Sequence, residues 1–164
     1  MKTEMGEYIV GAYLKIIKNC DFVDYNVRLP GGGLRGLNEL DVVGLDFKRK
    51  TAYLCEVTTH ITGLLYKDKK TTVEKIKTKH KLQITYANEY LSDFPNKTYM
   101  FWSPVVSVGY ITEGLKKIDD MTIIINQDYT LCINELRKMA KIMTNDAGNP
   151  FFRALQIIEH LKKI

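Results

Sequence analysis

The sequence lacks the features that mark secreted, disulfide-bonded or membrane-spanning proteins. Its three cysteines, Cys20, Cys55 and Cys132, are odd in number and show no C-x-x-C spacing, which argues against a disulfide framework or a zinc site. We expect them to be small buried core residues. No apolar run approaches the ~18 residues that a membrane helix needs. Residues 1–18 lack the basic start and cleavage site of a secretory signal, so a cytoplasmic protein without a membrane partner is expected.

Composition indicates an ordinary globular chain with one unusual segment. The 164 residues are 45% hydrophobic and 26% charged, which suits one domain with a single core. The segment 67–81 holds seven lysines and two acids, an excess that equals the net charge of +5 of the whole chain. Such clustering is typical of a protein that binds a phosphate backbone, although a solvated helix face has the same appearance.

Hydrophobic periodicity and turn residues predict the elements of secondary structure. Continuous apolar runs indicate that two of the strands are buried on both faces of a sheet. The predicted helices cover 3–19, 69–91, 109–118, 131–143 and 150–162, and the predicted strands cover 22–29, 37–47, 51–59, 98–102 and 121–126.

This order predicts an α/β fold with a mixed central β-sheet. Three consecutive strands form an antiparallel meander, and the later strands are connected by helices, which places helices on both faces. We expect a single domain over 1–164, with a core in 1–126 and a C-terminal helical extension in 127–164. The glycine-rich loop 30–36 is a candidate lid or a plain flexible connection.

Two acidic residues are predicted to face each other in the second hairpin. With Lys48-Arg49 at the turn, Asp41 lies opposite Glu56, and Glu39 and Thr58 share their side of the sheet. Like charges placed opposite each other destabilise a sheet unless a cation lies between them. The alternative is that these are ordinary residues on the solvated face of an edge hairpin.

The motifs around these acids resemble a known family. A helix with Gly6-Glu7 precedes a strand with Asn38-Glu39-Leu40-Asp41-Val42-Val43-Gly44, and a strand with Ala52-Tyr53-Leu54-Cys55-Glu56-Val57-Thr58-Thr59 follows, then a basic helix. This combination resembles the PD-(D/E)XK nucleases, in particular the Holliday-junction-resolvase-like and RecB-like branch. The resemblance covers about residues 5 to 91 and implies a restriction-endonuclease-like fold.

The resemblance implies a catalytic centre for cutting nucleic acid. Asp41 and Glu56 would bind Mg²⁺, with Mn²⁺ as a substitute, helped by the backbone carbonyl of Val57. Glu7 matches the helix glutamate that reaches the same site. Its place in the first turn of a helix, where the helix dipole favours an acid, is an alternative explanation.

The chain departs from the family at Thr58, where the family has lysine. A hydroxyl cannot supply the positive charge that stabilises the transition state. Lys79 is the first candidate to replace it, because the resemblance places a K-Q pair there, and Lys77 and Lys81 are second choices. His80 lies further inward, as a site residue or as a hydrogen-bonded core histidine.

Nucleic acid, with DNA favoured over RNA, is the expected partner. The residues predicted to contact its phosphates are Arg35, Lys67, Lys69, Lys70, Lys77 and Lys81. A Mg²⁺-dependent endonuclease is the first interpretation. Two others stay open, an inactive nucleic-acid-binding protein on the same scaffold and a purely structural or protein-interaction domain. The C-terminal helices are a candidate contact for a homodimer.

Overall fold

Helices and strands follow one another in the predicted order. The structure, a computed structural model, describes residues 2–28 and 39–161, so Arg35 and the loop 30–36 lie outside the described residues. The elements are α1 (Met5–Ala12, continued by a π-helical turn Tyr13–Ile17), β1 (Phe22–Arg28), β2 (Glu39–Asp46), β3 (Thr51–Val57), α2 (Lys69–Tyr90), β4 (Asn96–Ser103), α3 (Tyr110–Lys116), β5 (Met121–Ile125), α4 (Asn126–Ala140) and α5 (Pro150–Leu161).

The five strands form one mixed sheet in sequence order. β1, β2 and β3 are antiparallel, whereas β3, β4 and β5 are parallel and connected by helices. A parallel connection needs a crossover, and α2 and α3 supply it. The predicted α/β class, with a mixed sheet flanked by helices, is therefore confirmed.

The register of the second hairpin is also as predicted. Val42 pairs with Cys55 and Asp46 with Thr51, around a four-residue turn whose centre is Lys48-Arg49. The side-chain alternation of both strands is fixed by this register, since a slip of one residue would expose the buried set. It also brings Asp41 and Glu56 to the same end of the hairpin.

Apolar clusters lie on both faces of the sheet. On one face, α1, α4 and α5 pack around Trp102, whose ring is 5.2 Å from that of Tyr13 and 5.9 Å from that of Tyr129. On the other face, α2 and α3 cover two clusters built on Leu54 and Phe101. The three cysteines are buried and free, as expected. The C-terminal helices thus share a core with the first helix.

Helix α4 begins at Asn126, five residues before the predicted start. The chain passes from β5 into α4 without a loop, and Asn126 makes this turn with a φ of 51°. Asn is one of the few residues that adopt this conformation readily. Its side chain also pairs with the backbone N–H and carbonyl of Val106. Where a strand continues directly into a helix, no polar loop segment marks the boundary in the sequence. The predicted start of this helix was therefore too late.

Helix α2 is fixed to the sheet by buried polar contacts. Asp68 caps its first turn, accepting a hydrogen bond from the Thr71 N–H at 2.7 Å. The Gln83 amide donates to the carbonyls of Leu54 and Met100 in adjacent strands, at 2.9 and 3.1 Å. Both ring nitrogens of His80 have hydrogen-bond partners, the Gln83 side chain and the carbonyl of Asp119. It is therefore a hydrogen-bonded core histidine.

None of the helices in the described parts of the chain combines the length and apolar character needed to cross a membrane.

Candidate active site

The two acids meet where β2 and β3 stop pairing. At this end of the hairpin, the last pair of residues between the two strands is Val42 with Cys55. Just beyond this pair, the Asp41 carboxylate accepts a hydrogen bond from the Val57 N–H at 2.7 Å. Asp41 thus takes a backbone donor that the ladder leaves free. Glu56, the residue before Val57, is only 5% exposed, and the Asp41 carboxylate is near enough to raise the pKa of Glu56. The crowding predicted from the sequence is present.

Burial and mutual repulsion hold both carboxyl groups in an unusual state. Burial is the main cause that raises the pKa of Glu56 to about 8; the nearby Asp41 carboxylate also raises it, and Lys79 lowers it. Burial also raises the pKa of Asp41, against the lowering effect of the Val57 N–H and Lys79. Two buried acids that share one cation resist ionising together. The carboxylates of Asp41 and Glu56 are therefore suited to bind an additional cation.

Glu39 extends the acidic group at the outer end of β2. Its charge raises the pKa of Asp41. One of its carboxylate oxygens is 4.0 Å from Arg28 Nε, while the other is buried and has no hydrogen-bond partner in the described part of the chain. Glu39 therefore adds negative potential near the Asp41–Glu56 pair.

Lys79 supplies the one positive charge that contacts this pair among the described residues. Its ammonium lies 3.0 and 3.2 Å from the two carboxylate oxygens of Glu56, and its side chain is 15% exposed. Burial lowers the pKa of Lys79, but the adjacent Glu56 and Asp41 outweigh this effect and raise it. The ammonium is therefore charged at neutral pH. It reaches the acids because position 79 borders the inward face of α2 formed by Ile76, His80 and Gln83.

Thr58 occupies the position where the resembled family has lysine. It follows Glu56 by two residues, so the two side chains lie on the same face of the sheet. Its N–H donates to the Trp102 carbonyl at 2.9 Å, and the residue is 7% exposed. The hydroxyl is buried and lacks a hydrogen-bond partner within residues 2–28 and 39–161. Thr58 is thus at the site without carrying charge.

Glu7 approaches the acids from α1 and is already hydrogen-bonded. One of its oxygens accepts from the Glu4 N–H and from the Asn26 amide, both at 2.9 Å. Burial raises the pKa of Glu7, and the charge of Asp41 adds to the effect. Glu7 therefore lies near enough to Asp41 to be affected by its charge, and it also ties the start of its helix, so the two interpretations of this residue are compatible.

The lysines of α2 do not form one continuous surface over the site. Successive helical residues are rotated by about 100°, so Lys77 and Lys81, each two positions from Lys79, project from the opposite side of the helix. Lys70 projects there too, and Lys77 is paired with Glu74 at 2.9 Å. Lys67 and Lys69 are exposed around the start of the helix. The structure does not bring Lys70, Lys77 and Lys81 to the acids.

Sequence reasoning did not single out Asn26 or Tyr66, and it counted Lys75 only as one of the seven lysines of the segment 67–81. Asn26 holds Glu7, and its φ of 54° departs from the strand conformation around it. The Tyr66 ring is close enough to Glu56, Lys79 and Asp41 for their charges to affect its pKa, which burial raises. Lys75, one turn before Lys79, contacts that ring. Helical spacing alone would have grouped Lys75 with Lys79, whereas the position of Tyr66 depends on how residues 58–68 fold back.

The residues present fit a Mg²⁺ ion held by few protein ligands. Among residues 2–28 and 39–161, no three histidine, cysteine, aspartate or glutamate side chains are arranged as a metal-binding group. Mg²⁺ commonly uses one or two carboxylates and keeps several waters. The carboxylates of Asp41 and Glu56 would meet that need, and because burial raises the pKa of both, a bound cation would replace the solvation that their charged forms have lost.

We expect the stability of the metal-free protein to fall as pH rises from about 5 to about 8. Because the folded pKa of Glu56 is about 8 and its ordinary value is 4.5, the folded state binds the extra proton in this interval. This contribution is complete below pH 4.5 and is lost as pH passes through about 8, by up to about 1.4 kcal/mol per pH unit. Denaturant unfolding in a chelator at several pH values measures it.

The Glu56→Gln variant is the control, because it should remove this part of the slope. Added Mg²⁺ or Mn²⁺ should stabilise the wild type, with a gain that grows with pH as the ion displaces the proton. An identical pH dependence in wild type and variant would contradict the assignment.

No protein-family model matches the sequence, and comparisons with curated proteins and with solved structures found no match.

Proposed function

We propose that this protein is a metal-dependent nuclease that hydrolyses phosphodiester bonds in nucleic acid, with a restriction-endonuclease-like fold. The observation that carries the proposal is the buried Asp41–Glu56 pair with the Lys79 ammonium against it. Two acids and a lysine that converge at the end of a hairpin are costly for folding, and they suit phosphoryl transfer chemistry. The order of helices and strands, with a meander before a parallel crossover, agrees with the resemblance.

Each residue has a chemical task in this proposal. Asp41 and Glu56 would hold Mg²⁺, assisted by the Val57 carbonyl, and Glu7 lies near enough to influence Asp41 electrostatically. The bound ion would polarise the phosphoryl oxygen and lower the pKa of a water molecule. Lys79 would donate hydrogen bonds to the attacking water or to the phosphoryl oxygens, and its charge would stabilise the transition state. Lys79 thereby replaces the charge that Thr58 lacks.

The ion pair between Lys79 and Glu56 also supports a second candidate function. A lysine that neutralises Glu56 permanently would stabilise an inactive scaffold, and the protein would then only bind nucleic acid. In that case nucleic-acid binding would not depend on Asp41. The two candidates differ in cutting and in metal uptake.

Isothermal titration and cleavage assays test the proposal together. Mn²⁺ should bind wild type, and the double variant Asp41→Asn/Glu56→Gln should lose this binding. Cleavage of single-stranded, duplex and branched DNA, and of RNA, should require Mg²⁺ or Mn²⁺. Binding without cutting, unaffected by Asp41→Ala, would favour the inactive binder. Absence of both metal uptake and nucleic-acid affinity would overturn both candidates.

A further inference from the structure

Tyr66, an aromatic residue beside the acids in the segment between β3 and α2, is held in place by buried hydrogen bonds. The Tyr66 N–H donates to the hydroxyl of Thr72 at 2.8 Å, and that hydroxyl in turn donates to the Asp68 carbonyl at 2.7 Å. Thr72 is fully buried in the first turn of α2. The backbone of Tyr66 is thereby fixed to the helix that carries Lys79.

The ring of Tyr66 is fixed as well. The Lys75 ammonium lies over it, 3.7 Å from its centroid, and the His60 ring meets it edge-on with centroids 5.4 Å apart. A cation at this distance from an aromatic face is attracted by the electrons of the ring. These contacts orient the phenol group toward a defined position, and they hold an exposed ammonium beside it.

This pair lies next to the proposed cutting centre. Lys75 and Lys79 are four residues apart on one side of α2, so their attachment points are separated by about 6 Å along the helix axis. The charges of Glu56 and Asp41 reach the Tyr66 ring. The Lys79 ammonium forms an ion pair with Glu56. The Lys75 ammonium instead contacts the Tyr66 ring, and its N–H groups are available to donate hydrogen bonds to a ligand.

We propose that Tyr66 and Lys75 form a phosphate-binding subsite that holds a phosphodiester group of the substrate strand beside the Asp41–Glu56 centre. The Tyr66 hydroxyl and the Lys75 ammonium are both hydrogen-bond donors, and a phosphate oxygen accepts from both. The cation–π contact keeps the ammonium in place before the substrate arrives, which reduces the ordering cost of binding. The subsite rests on the proposed function for its role in cutting, and its anion binding is independent of catalysis.

The salt dependence of binding tests the subsite without catalysis. The affinity for a fluorescently labelled DNA duplex and for its single strand is measured in a chelator between about 50 and about 200 mM salt. Lys75→Ala should lower the slope of log K against log salt by about 0.9 for the duplex or about 0.7 for the single strand. Lys138→Ala is the matched control, since this exposed lysine belongs to α4 on the opposite face of the sheet, and its slope should stay unchanged.

Tyr66→Phe tests the hydroxyl while it keeps the ring under Lys75. The kcat/KM of the metal-loaded enzyme should fall about ten- to a hundred-fold, the loss expected for a hydrogen bond to a charged group, with little change in the melting temperature. Tyr110→Phe, an exposed tyrosine of α3, is the control.

The outcomes separate the subsite from the nuclease function. If wild type binds DNA with a slope that only Lys75→Ala reduces, yet cuts no substrate, the subsite is supported and the nuclease proposal fails. Equal slopes for the Lys75 and Lys138 variants, no binding by wild type, or an unchanged kcat/KM after Tyr66→Phe in an active enzyme would overturn the subsite.

Discussion

Glu56→Gln should abolish cleavage and leave the protein at least as stable as wild type. The amide has nearly the shape of the carboxylate but lacks its charge, so a divalent ion loses one of its two acidic ligands. We expect the cleavage rate to fall by about 10³-fold or more. Stability should not fall, because burial and Asp41 already make the charged form of Glu56 unfavourable. A side chain kept for folding alone would show the opposite behaviour.

Cleavage rate and melting temperature should be measured on the same preparations in this experiment. At about pH 8 in a chelator, the melting temperature of Glu56→Gln should equal or exceed that of wild type, because the variant removes the repulsion between two buried acids. Glu74→Gln is the control, since Glu74 is exposed on α2 and pairs with Lys77. A variant that cuts at the wild-type rate would remove Glu56 from the catalytic centre. A variant that fails to fold would make Glu56 a structural residue.

The hairpin at the centre of the site was predictable because its register follows from local rules. Strand alternation is strict, and a turn at Lys48-Arg49 fixes which residues face each other, so Asp41 and Glu56 were placed together without coordinates. Helix α2 was similarly predictable, since apolar residues at helical spacing define its inward face. Lys79 was therefore a reasonable candidate from the sequence.

The remaining parts of the site depend on long-range packing. Tyr66 reaches the acids because the segment after β3 folds back and is fixed by Thr72, and no periodicity records that path. A count of lysines does not assign them to directions around the helix. Lys77 and Lys81 add to the net charge near the site in sequence, yet they project away from it in space. Charge clustering predicts binding of an anion, but only geometry selects the residues that touch it.

The position of the catalytic charge is the least conventional feature of the proposed centre. The resembled family carries its lysine on the strand, two residues after the acid, whereas this chain has Thr58 there and places Lys79 on α2. If Lys79 performs the same task, then Lys79→Ala should lower the turnover number by about 10²- to 10³-fold. It should also destabilise the metal-free protein more at about pH 8 than at about pH 5, because Glu56 is largely protonated at the lower pH.

The decisive experiment places a positive charge at position 58 of the Lys79→Ala variant and measures the turnover number. Thr58→Lys should raise the turnover number of the Lys79→Ala variant at least about ten-fold, since a lysine at position 58 extends on the same side of β3 as Glu56. Thr58→Met in the same background is the control for side-chain length without charge, and it should restore nothing. Rescue by methionine would show that packing limits the reaction. Full activity after Lys79→Ala alone would show that the positive charge comes from another residue. Rescue by lysine only would mean that the chemistry requires a cation at Glu56 and accepts it from either the helix or the strand.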